Sequence, residues 1–427
     1  MRIALVSMHT SPSAVPGSGD AGGMNVVVAE AAAALAARGH EVVVVTRATR
    51  ETAAGEYPLT AGPRTTEPRT TEPRTTEPGT SPTLVALEAG DPGLRKERLP
   101  GAVREFARGL RALAGTRGFD AIHAHYWLSG LAAREAFAQR GGRIAVTFHT
   151  IAAQKNANLA EGDAPEPETR LAGERLLAAE SFVVAGSRSE LRGVIEGYGE
   201  PPLGSAVVHP GVDTELFRPR APAAHPGAAP HHSATDQSPA HRITVLGRVQ
   251  PLKGQDLAVR AAIELARRDP ELFARTEWVI AGEPTPGAED YAAGLRALAA
   301  QHGVADRLRF LPAQSRREAA ALLASSSLVL VPSHSETFGL TALEASACGV
   351  PVIAAGHTGL VEAVPDGVAG RHLSDRDPAN WAAAIAELLR DGARRARLGS
   401  SARAHAERHD WRAHAAQLER CYARLAG

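Results

Sequence analysis

Short runs of consecutive apolar residues alternate with longer stretches of helical spacing along most of the chain. In the first half, apolar runs lie at residues 2–8 and 40–47 and within FDAIHAHYW, GGRIAVTFHT and ESFVVAGS, and an Ala-rich helical stretch covers 22–39. Such runs are typical of parallel strands that helices cover on both faces. The pattern therefore predicts an α/β fold with a doubly wound, Rossmann-like sheet.

The alternation stops near residues 205–220 and begins again later in the chain. A second series of strands is predicted at RITVLGRV, TEWVIAG, RLRFLP, SLVLVPS and VPVIAAG. A chain of 427 residues, 44% of them hydrophobic, is long enough for two domains of about 200 residues each. We predict two Rossmann-like domains, 1–208 and 209–410, and a terminal helix over 411–427. Because ligands of such sheets bind beyond the carboxyl ends of the strands, we expect the site in a cleft between the domains.

Two segments have the composition of disordered or linking chain. Residues 62–82 contain RTTEPRTTEPRTTEPG, which has too little apolar surface to offset the entropy of ordering and is predicted to be a disordered surface insertion. Residues 219–241 are rich in Pro, Ala and His. We interpret them as a linker loop, because their histidines lack the Cys partners and the fixed spacing of a zinc site.

Charge and cysteine content exclude several classes of protein. The 47 basic and 47 acidic residues balance, so no overall field favours nucleic acid or an anionic membrane. The two cysteines make no disulfide framework, and MRIALVSMHT lacks the features of a secretory signal. The longest apolar stretch is shorter than the roughly 20 residues that a membrane span requires. We therefore expect a cytoplasmic protein without a nucleic-acid or membrane partner.

A glycine-rich segment, PGSGDAGGMN, separates the first strand from the first helix. The G-x-G-x-x-G spacing at residues 17–22 is a weak sign of dinucleotide binding, because HTSPSAVP lies between it and the strand and the second strand ends in Arg47, not in an acid. An NADP-linked enzyme that uses Arg47 for a 2′-phosphate remains open. Gly22 and Gly23 stand at the start of a helix, where free amides and absent side chains suit a phosphate.

Charged residues follow two predicted strands of the second half. Arg248 and Lys253 lie in GRVQPLKGQD, and an Arg with a Lys at this edge suits a diphosphate whose leaving group gains charge. Glu336 follows SLVLVPS, and Glu344 lies eight residues on, in the next helix. One carboxylate can hold sugar hydroxyls and the other a ribose. The first amides of that helix can bind an anion, at Gly339, Leu340 and Thr341.

Together these motifs resemble a known family. The Glu336 and Glu344 spacing around a Phe-Gly-Leu step, the GRxxxxKG segment and the N-terminal double glycine are similar to those of the retaining glycosyltransferases of family 4, which have the two-domain GT-B fold. The resemblance covers nearly the whole chain. It implies a hexosyltransferase in which 1–208 binds the acceptor, 209–410 binds a nucleotide sugar and the C-terminal helix crosses back to the first domain.

The resemblance also implies roles for individual residues. Glu336 is expected to contact the transferred sugar, Glu344 the ribose, Arg248 and Lys253 the diphosphate, and His149 the donor-sugar side of the cleft. The expected catalytic set is His149, Arg248, Lys253 and Glu336. The other expected donor contacts are Gly23, Gln314, Gly339, Leu340 and Thr341.

The first half contains MHTSP, GDAGGMNV, TRATR, AHYWLSG, FHT, KNA and PEPETR. It is similar to family members that transfer N-acetylglucosamine from UDP-N-acetylglucosamine to 1D-myo-inositol 3-phosphate, the first step of mycothiol biosynthesis. This implies an inositol phosphate site formed by His9, Asp20, Ala21, Gly22, Gly23, Met24, Asn25, Lys96, Tyr126, Thr150 and Arg170. Two cations and two hydroxyls, from Lys96, Arg170, Tyr126 and Thr150, can clamp a phosphate dianion. Similarity also implies a homodimer.

The chain departs from the family pattern in several places. The TTEP repeat replaces the strands expected before SPTLVALEAG, and the PAQS run near Gln314 replaces the usual arginine after RFL. Leu323 and Ala324 occupy the side-chain positions of the family's peripheral magnesium site, so we expect no requirement for a metal or other cofactor. The Asp-x-Asp at 375–377 is predicted to cap a helix, because Pro378 follows it.

The mechanism expected from the resemblance is a front-face displacement in which the departing phosphate oxygen accepts the proton of the acceptor hydroxyl. The paired carboxylates of glycoside hydrolases do not fit, because no second carboxylate is expected at the anomeric carbon. Three other functions remain open: a family transferase of the mannosyl or sucrose-phosphate type, a nucleotide-sugar epimerase, and a non-catalytic sensor of sugar nucleotides.

Overall fold

The computed structural model describes residues 1–17, 20–59, 81–138, 143–157, 159, 164–220 and 239–426. The insertion predicted over 62–82 and the linker loop predicted over 219–241 lie largely outside these residues, as does Gly19 of the glycine motif.

The first sheet has eight strands among the described residues, in the order β3-β4-β2-β1-β5-β6-β7-β8. These strands are β1 (Arg2–Ser7), β2 (Glu41–Arg47), β3 (Gly55–Pro58), β4 (Thr83–Leu87), β5 (Ala121–His125), β6 (Ala145–Thr147), β7 (Phe182–Ala185) and β8 (Ser205–Val207). All neighbouring strands are parallel except β3 and β4. The four consecutive valines of β2 are all buried, as expected for a strand that is covered on both faces.

Helices cover both faces of the first sheet. They are α1 (Gly23–Ala37), α2 (Val103–Arg117), α3 (Trp127–Ala136), α4 (Ala152–Ala157), α5 (Glu168–Glu180) and α6 (Arg188–Tyr198), with a 3-10 helix at Lys96–Ala102. One core joins α2 and α3 to the sheet, and a second core joins α1 to the other face.

The second sheet has six parallel strands within the described part of the chain, in the order β11-β10-β9-β12-β13-β14. They are β9 (His241–Leu246), β10 (Thr276–Ala281), β11 (Leu308–Leu311), β12 (Leu328–Val331), β13 (Val352–Ala355) and β14 (Gly370–Leu373). The helices that follow β9 are α7 (Gln255–Arg268), α8 (Pro270–Ala274), α9 (Glu289–Gln301), α10 (Arg316–Ala324), α11 (Leu340–Ala347), α12 (Leu360–Ala363), α13 (Pro378–Arg390), α14 (Gly392–Ala406) and α15 (Trp411–Ala426), with 3-10 helices at Pro251–Lys253 and Ala305–Arg307. The predicted fold class, two doubly wound domains, is confirmed.

The last helix returns to the first domain. Side chains of α15, among them Leu418 and Tyr422, belong to the core formed by α1 and the first sheet, and both are at most 1% exposed. On the way, the backbone N–H of Val212 donates to the carbonyl of His409 (2.7 Å), so the two crossings between the domains lie side by side. The crossing-back helix is confirmed, whereas the division after residue 208 stays a prediction.

Two local predictions have clear outcomes. The repeat does not replace every strand expected before SPTLVALEAG, because β3 precedes it and pairs antiparallel with β4; the repeat itself lies outside the described residues. The Asp-x-Asp does cap a helix, because the side chain of Asp377 accepts a hydrogen bond from the backbone N–H of Ala379 and Pro378 opens α13. None of the helices in the described residues is long and apolar enough to cross a bilayer.

Candidate active site

A cleft between the two sheets encloses a cavity of about 480 Å³. The strand order reverses between β1 and β5 in the first sheet and between β9 and β12 in the second. Residues that follow these four strands, His9, Tyr126, Arg248 and Glu336, all line the cavity, as expected for doubly wound sheets. Among the described residues predicted for the site, only Ala21 does not line it.

Arg248 lies just beyond β9 and is largely enclosed by the cleft. Its backbone carbonyl accepts a hydrogen bond from the Gln255 side chain (2.8 Å), which fixes the loop. Burial lowers the pKa of the guanidinium, while the carboxylates of Asp20 and Glu336 act in the opposite direction. An arginine stays charged in such a setting, so Arg248 brings a positive charge into the cleft.

Lys253 and Glu336 form an ion pair on the same wall. The Lys253 Nζ lies 2.5 Å from Glu336 Oε1, and the Ser333 hydroxyl donates to the same oxygen (2.9 Å). The backbone N–H of Glu336 donates to the Thr358 hydroxyl (3.1 Å). The carboxylate is therefore fixed in both position and orientation.

The glycine loop of the first domain approaches the second domain closely. A methyl group at Gly22 would lie 3.5 Å from Arg248 Nε, and one at Gly23 would lie 3.1 Å from Leu340 Cδ1. The side chain of Asn25 holds this loop, since it accepts from the Gly22 backbone N–H (3.1 Å) and donates to the Ser11 carbonyl (2.7 Å). A larger residue at Gly22 would narrow the space between the α1 N-terminus and Arg248.

Glu344 lies in α11 and has a partner that the sequence did not predict. Arg316, the first residue of α10, donates to Glu344 Oε1 (3.0 Å), and its other terminal nitrogen lies 3.3 Å from Glu30 Oε1 of the first domain. Burial raises the pKa of Glu344, and the charge of Arg316 opposes this effect. Gln314, predicted as a donor contact, lines the same part of the cleft.

On the opposite wall, Arg170 of α5 has several hydrogen-bond and ion-pair partners. It donates to Thr150 Oγ1 (2.7 Å) and to the Thr150 carbonyl (2.8 Å), and its guanidinium lies over the ring of Tyr126, 4.9 Å from the centroid. Glu166 and Glu174, four residues before and after it, both form ion pairs with it. Three of the four residues predicted for the phosphate clamp, Arg170, Thr150 and Tyr126, thus lie together in one cluster.

Two lysines add positive charge near this cluster. Lys155 pairs with Glu166 at 2.8 Å. Lys96, which opens its 3-10 helix, lies 3.9 Å from Asp20 of the glycine loop and keeps 42% of its side chain exposed. Lys96 is therefore accessible to a ligand in the cleft.

His9 lies where the two walls meet. Burial, followed by the positive charges of Lys96, Arg170 and Arg248, lowers its pKa to about 3. One imidazole thus experiences both the cations predicted for the acceptor and the cation predicted for the diphosphate. A bound dianion and a bound diphosphate would share this region of positive charge.

His149 ends a chain of neutral histidines at the floor of the cleft. Its Nε2 lies 2.9 Å from Nδ1 of His125. His123 donates from Nε2 to Thr147 Oγ1, because that hydroxyl gives its own hydrogen to the Val184 carbonyl. Burial lowers the pKa of all three imidazoles, so they act as neutral hydrogen-bonding groups.

The backbone of His149 also joins the two domains. Its carbonyl accepts a hydrogen bond from the Thr337 hydroxyl of the second domain, and Ser187 Oγ donates to the Thr337 carbonyl (2.5 Å). His149 has a φ of 61°, Tyr126 of 78° and Thr358 of 55°, and these are all the non-glycine residues with positive φ in the described chain. Such backbone costs about 1–3 kcal/mol per residue and is concentrated at functional sites.

Glu190 is a buried carboxyl group at this junction. The backbone N–H groups of Gly186 and His149 face it, whereas its Oε1 has no hydrogen-bond partner among the described residues. Burial raises its pKa to about 7. Glu190 thus ties the carboxyl end of β6 to that of β7.

Glu190→Gln is expected to alter the pH dependence of stability. The folded state keeps the proton of Glu190 up to about pH 7, whereas the unfolded chain releases it near pH 4.5, so rising pH costs wild type up to about 3 kcal/mol in this window. In thermal unfolding measured from pH 5 to pH 8, the Tm of wild type should fall relative to the Tm of the variant as the pH rises. Parallel Tm curves for the two proteins would contradict the expectation.

Several residues of the cleft are not among those predicted from the sequence. Lys155 and Glu166 lie within the KNA and PEPETR segments, and the spacing of four residues between Glu166, Arg170 and Glu174 is a helical signal that could have identified the cluster. Arg316 and Thr337 act across the domain interface, and no local pattern indicates such a contact.

One alternative from the sequence loses its basis in this geometry. Arg47, considered for a 2′-phosphate, is 3% exposed and donates to the Asp91 carbonyl (3.0 Å) instead of facing the cleft. Leu323 is fully buried and, with Ala324, offers no side-chain oxygen for the family's magnesium. The prediction that no metal is required stays a prediction.

Comparisons with known proteins agree with this geometry. The sequence model of the family Glycosyltransferase Family 4 matches residues 21–216, and the sequence model of the family Glycosyl transferases group 1 matches residues 235–405. The chain is 39% identical to the D-inositol 3-phosphate glycosyltransferase of Salinispora arenicola, over 96% of this chain and 89% of that protein, and 41% identical to that of Stackebrandtia nassauensis, over 96% and 88%. Its fold is similar to the sucrose-phosphate synthase of Thermosynechococcus elongatus, with a TM-score of 0.79, 26% identity and coverage of 99% and 98% of the two chains.

Proposed function

The chain belongs to the family 4 glycosyltransferases, and from this premise we propose that it transfers N-acetylglucosamine from UDP-N-acetylglucosamine to 1D-myo-inositol 3-phosphate with retention at the anomeric carbon. The observation that carries the proposal is that Lys96, Arg170 and Arg248 line the same cavity as His9. A neutral acceptor would not need two cations beside those that serve a diphosphate. The names of the relatives support the same acceptor.

On the donor wall, Arg248 and Lys253 are proposed to bind the diphosphate and to stabilise the charge that its departing oxygen gains. Glu336 is proposed to hold hydroxyls of the transferred sugar, because Lys253 and Ser333 fix its carboxylate. His149 lies at the junction of the domains, where the reacting carbon would be. In the proposed reaction the acceptor hydroxyl attacks the face that the phosphate leaves, and the departing oxygen takes the hydroxyl proton.

On the acceptor wall, Arg170, Thr150, Tyr126 and Lys96 are proposed to bind the phosphate of the acceptor. Glu174 holds Arg170 in place, since it also accepts from the Ala152 backbone N–H (2.8 Å) and the Tyr198 hydroxyl (2.7 Å). Arg170 is therefore already oriented before a phosphate binds, which lowers the entropy cost of binding.

The direct test is mass spectrometry of the product formed from UDP-N-acetylglucosamine without added metal, with inositol 3-phosphate or with unphosphorylated inositol. We expect a product only when the acceptor is phosphorylated.

Lys96→Met should raise the KM for inositol 3-phosphate about 10- to 100-fold, because it removes a hydrogen bond to a charged group, and should leave the KM for the donor unchanged.

The matched control is Arg98→Met, which removes an exposed cation from the same 3-10 helix and should leave both KM values unchanged. If neither acceptor leads to the release of UDP, or if both acceptors are used equally, the proposed acceptor is wrong and another transferase of the family is favoured.

We further infer a role in the first step of mycothiol biosynthesis, a cytoplasmic location and a homodimer. The relatives' names support the acceptor, and the pathway rests on family resemblance. Two free, buried cysteines, Cys348 and Cys421, fit a reducing compartment. The homodimer rests on family resemblance alone.

A further inference from the structure

One guanidinium joins two carboxylates that belong to different domains. Arg316 of α10 contacts Glu344 of α11 at 3.0 Å and Glu30 of α1 at 3.3 Å, and the three side chains are only 12–15% exposed. The same guanidinium lies over the ring of Phe217, 5.1 Å from the centroid. Arg316 is thus held on one side by an aromatic ring and on the others by two acids.

This arrangement differs from a surface ion pair. Two carboxylates with little exposure share one cation, and burial raises the pKa of both Glu30 and Glu344 while Arg316 opposes the shift. Removing the shared cation leaves two partly desolvated acids without their counter-charge, which favours protonation or rotation of the carboxylates.

We propose that Arg316 is the positioning residue of the donor ribose: it keeps Glu344 charged and oriented to accept the ribose hydroxyls, and through Glu30 it couples that site to the first domain. The inference rests on the proposed function, because it takes Glu344 as the ribose acceptor. Its new element is the partner of that acid and the path from it across the cleft.

The first consequence concerns ribose recognition. A charged, fixed carboxylate binds a hydroxyl more strongly than a protonated or rotated one. Without Arg316, the ribose hydroxyl should therefore contribute less to binding, and the protein should distinguish UDP from 2′-deoxy-UDP less well. An uncharged side chain of similar length, as in Arg316→Met, tests the charge without opening a large cavity.

The second consequence concerns coupling between the two ligands. Glu344 is connected to Glu30 of α1 by ion pairs through Arg316, while Leu340 at the start of α11 makes an apolar contact with α1. Glu30→Gln removes the interdomain ion pair and keeps the pair between Arg316 and Glu344. It should leave ribose discrimination intact and weaken the effect of bound UDP on acceptor affinity.

The experiment is calorimetric titration of the full-length protein with UDP and with 2′-deoxy-UDP. We expect wild type to bind UDP about tenfold more tightly than 2′-deoxy-UDP, Arg316→Met to reduce this ratio to within about twofold of unity, and Arg316→Lys to restore part of it. Arg317→Met, a neighbouring exposed arginine of the same helix, is the control and should keep the wild-type ratio.

For the interdomain part, the affinity for inositol 3-phosphate is measured with and without saturating UDP. We expect the ratio of the two affinities to fall several-fold in Glu30→Gln. An unchanged ratio there would overturn the coupling, and wild-type discrimination in Arg316→Met would overturn the positioning role.

These failures can be told apart from failure of the proposed function. If wild type itself does not distinguish the two nucleotides, Glu344 is not the ribose acceptor and the inference falls with that assignment. If wild type discriminates and Arg316→Met does so equally, only the inference is wrong. If Arg316→Met does not fold, Arg316→Lys decides whether the contact with both acids is needed. Lysine has one charged nitrogen in place of the two terminal nitrogens of arginine, so full discrimination by Arg316→Lys would show that the double contact is not required.

Discussion

Arg248→Ala is expected to lower kcat by about 10²- to 10³-fold, the usual effect of removing a preorganised group that stabilises developing charge. The guanidinium lies near the carboxylates of Asp20 and Glu336 and next to Gly22. Affinity for UDP should weaken less than turnover, because the charge on the departing oxygen develops only in the transition state. Steady-state kinetics and UDP titration of the purified variant measure both quantities.

The control is Arg242→Ala. Arg242 lies at the opposite end of β9, where it pairs with Glu277 at 2.8 Å, far from the carboxyl edge that carries Arg248. Its removal should cost some stability and leave kcat near that of wild type. A kcat of Arg248→Ala within a few-fold of wild type would end the assignment of Arg248 to the leaving group.

Glu336→Gln is expected to lower kcat by about 100-fold while the protein stays folded. The substitution preserves shape and removes the negative charge that both orients the sugar and compensates Lys253, 2.5 Å away. A charge-assisted hydrogen bond is roughly twice as strong as a neutral one, and a sugar that is no longer held leaves the geometry needed for attack. The measurement is kcat for transfer, together with the fraction of donor that is hydrolysed.

Glu318→Gln is the matched control for this variant. Glu318 is exposed and belongs to the capping box at the start of α10, a position where glutamine serves as well. If Glu336→Gln keeps a kcat within threefold of wild type, the carboxylate does not orient the transferred sugar.

The strands at the centres of both sheets were predictable because parallel strands that are buried on both faces are mostly apolar, although β5 also contains the buried His123 and His125. β2, with four buried valines, and β12, with the sequence LVLV, show this pattern plainly. β14, GRHL, lies at the edge of its sheet and is only partly buried. Because Arg371 and His372 are polar, this strand is not predicted from runs of hydrophobic residues.

The cleft residues were predictable where they follow central strands, since the carboxyl ends of those strands must face the ligand. Arg248 after β9 and Glu336 after β12 are of this kind. Arg316 and Thr337 are different, because their partners Glu30 and His149 belong to the other domain. Such contacts depend on how two complete domains meet, and neither propensity nor spacing encodes that.

The return of α15 to the first domain has a consequence for how the chain is made. During synthesis the first sheet and α1 leave the ribosome long before residues 411–426. Leu418 and Tyr422 nevertheless belong to the core on the face of the sheet that α1 covers. That face therefore stays open to water, or to other proteins, until translation ends. The last helix closes the first domain, so a chain truncated before Trp411 exposes an apolar surface in the half that was made first.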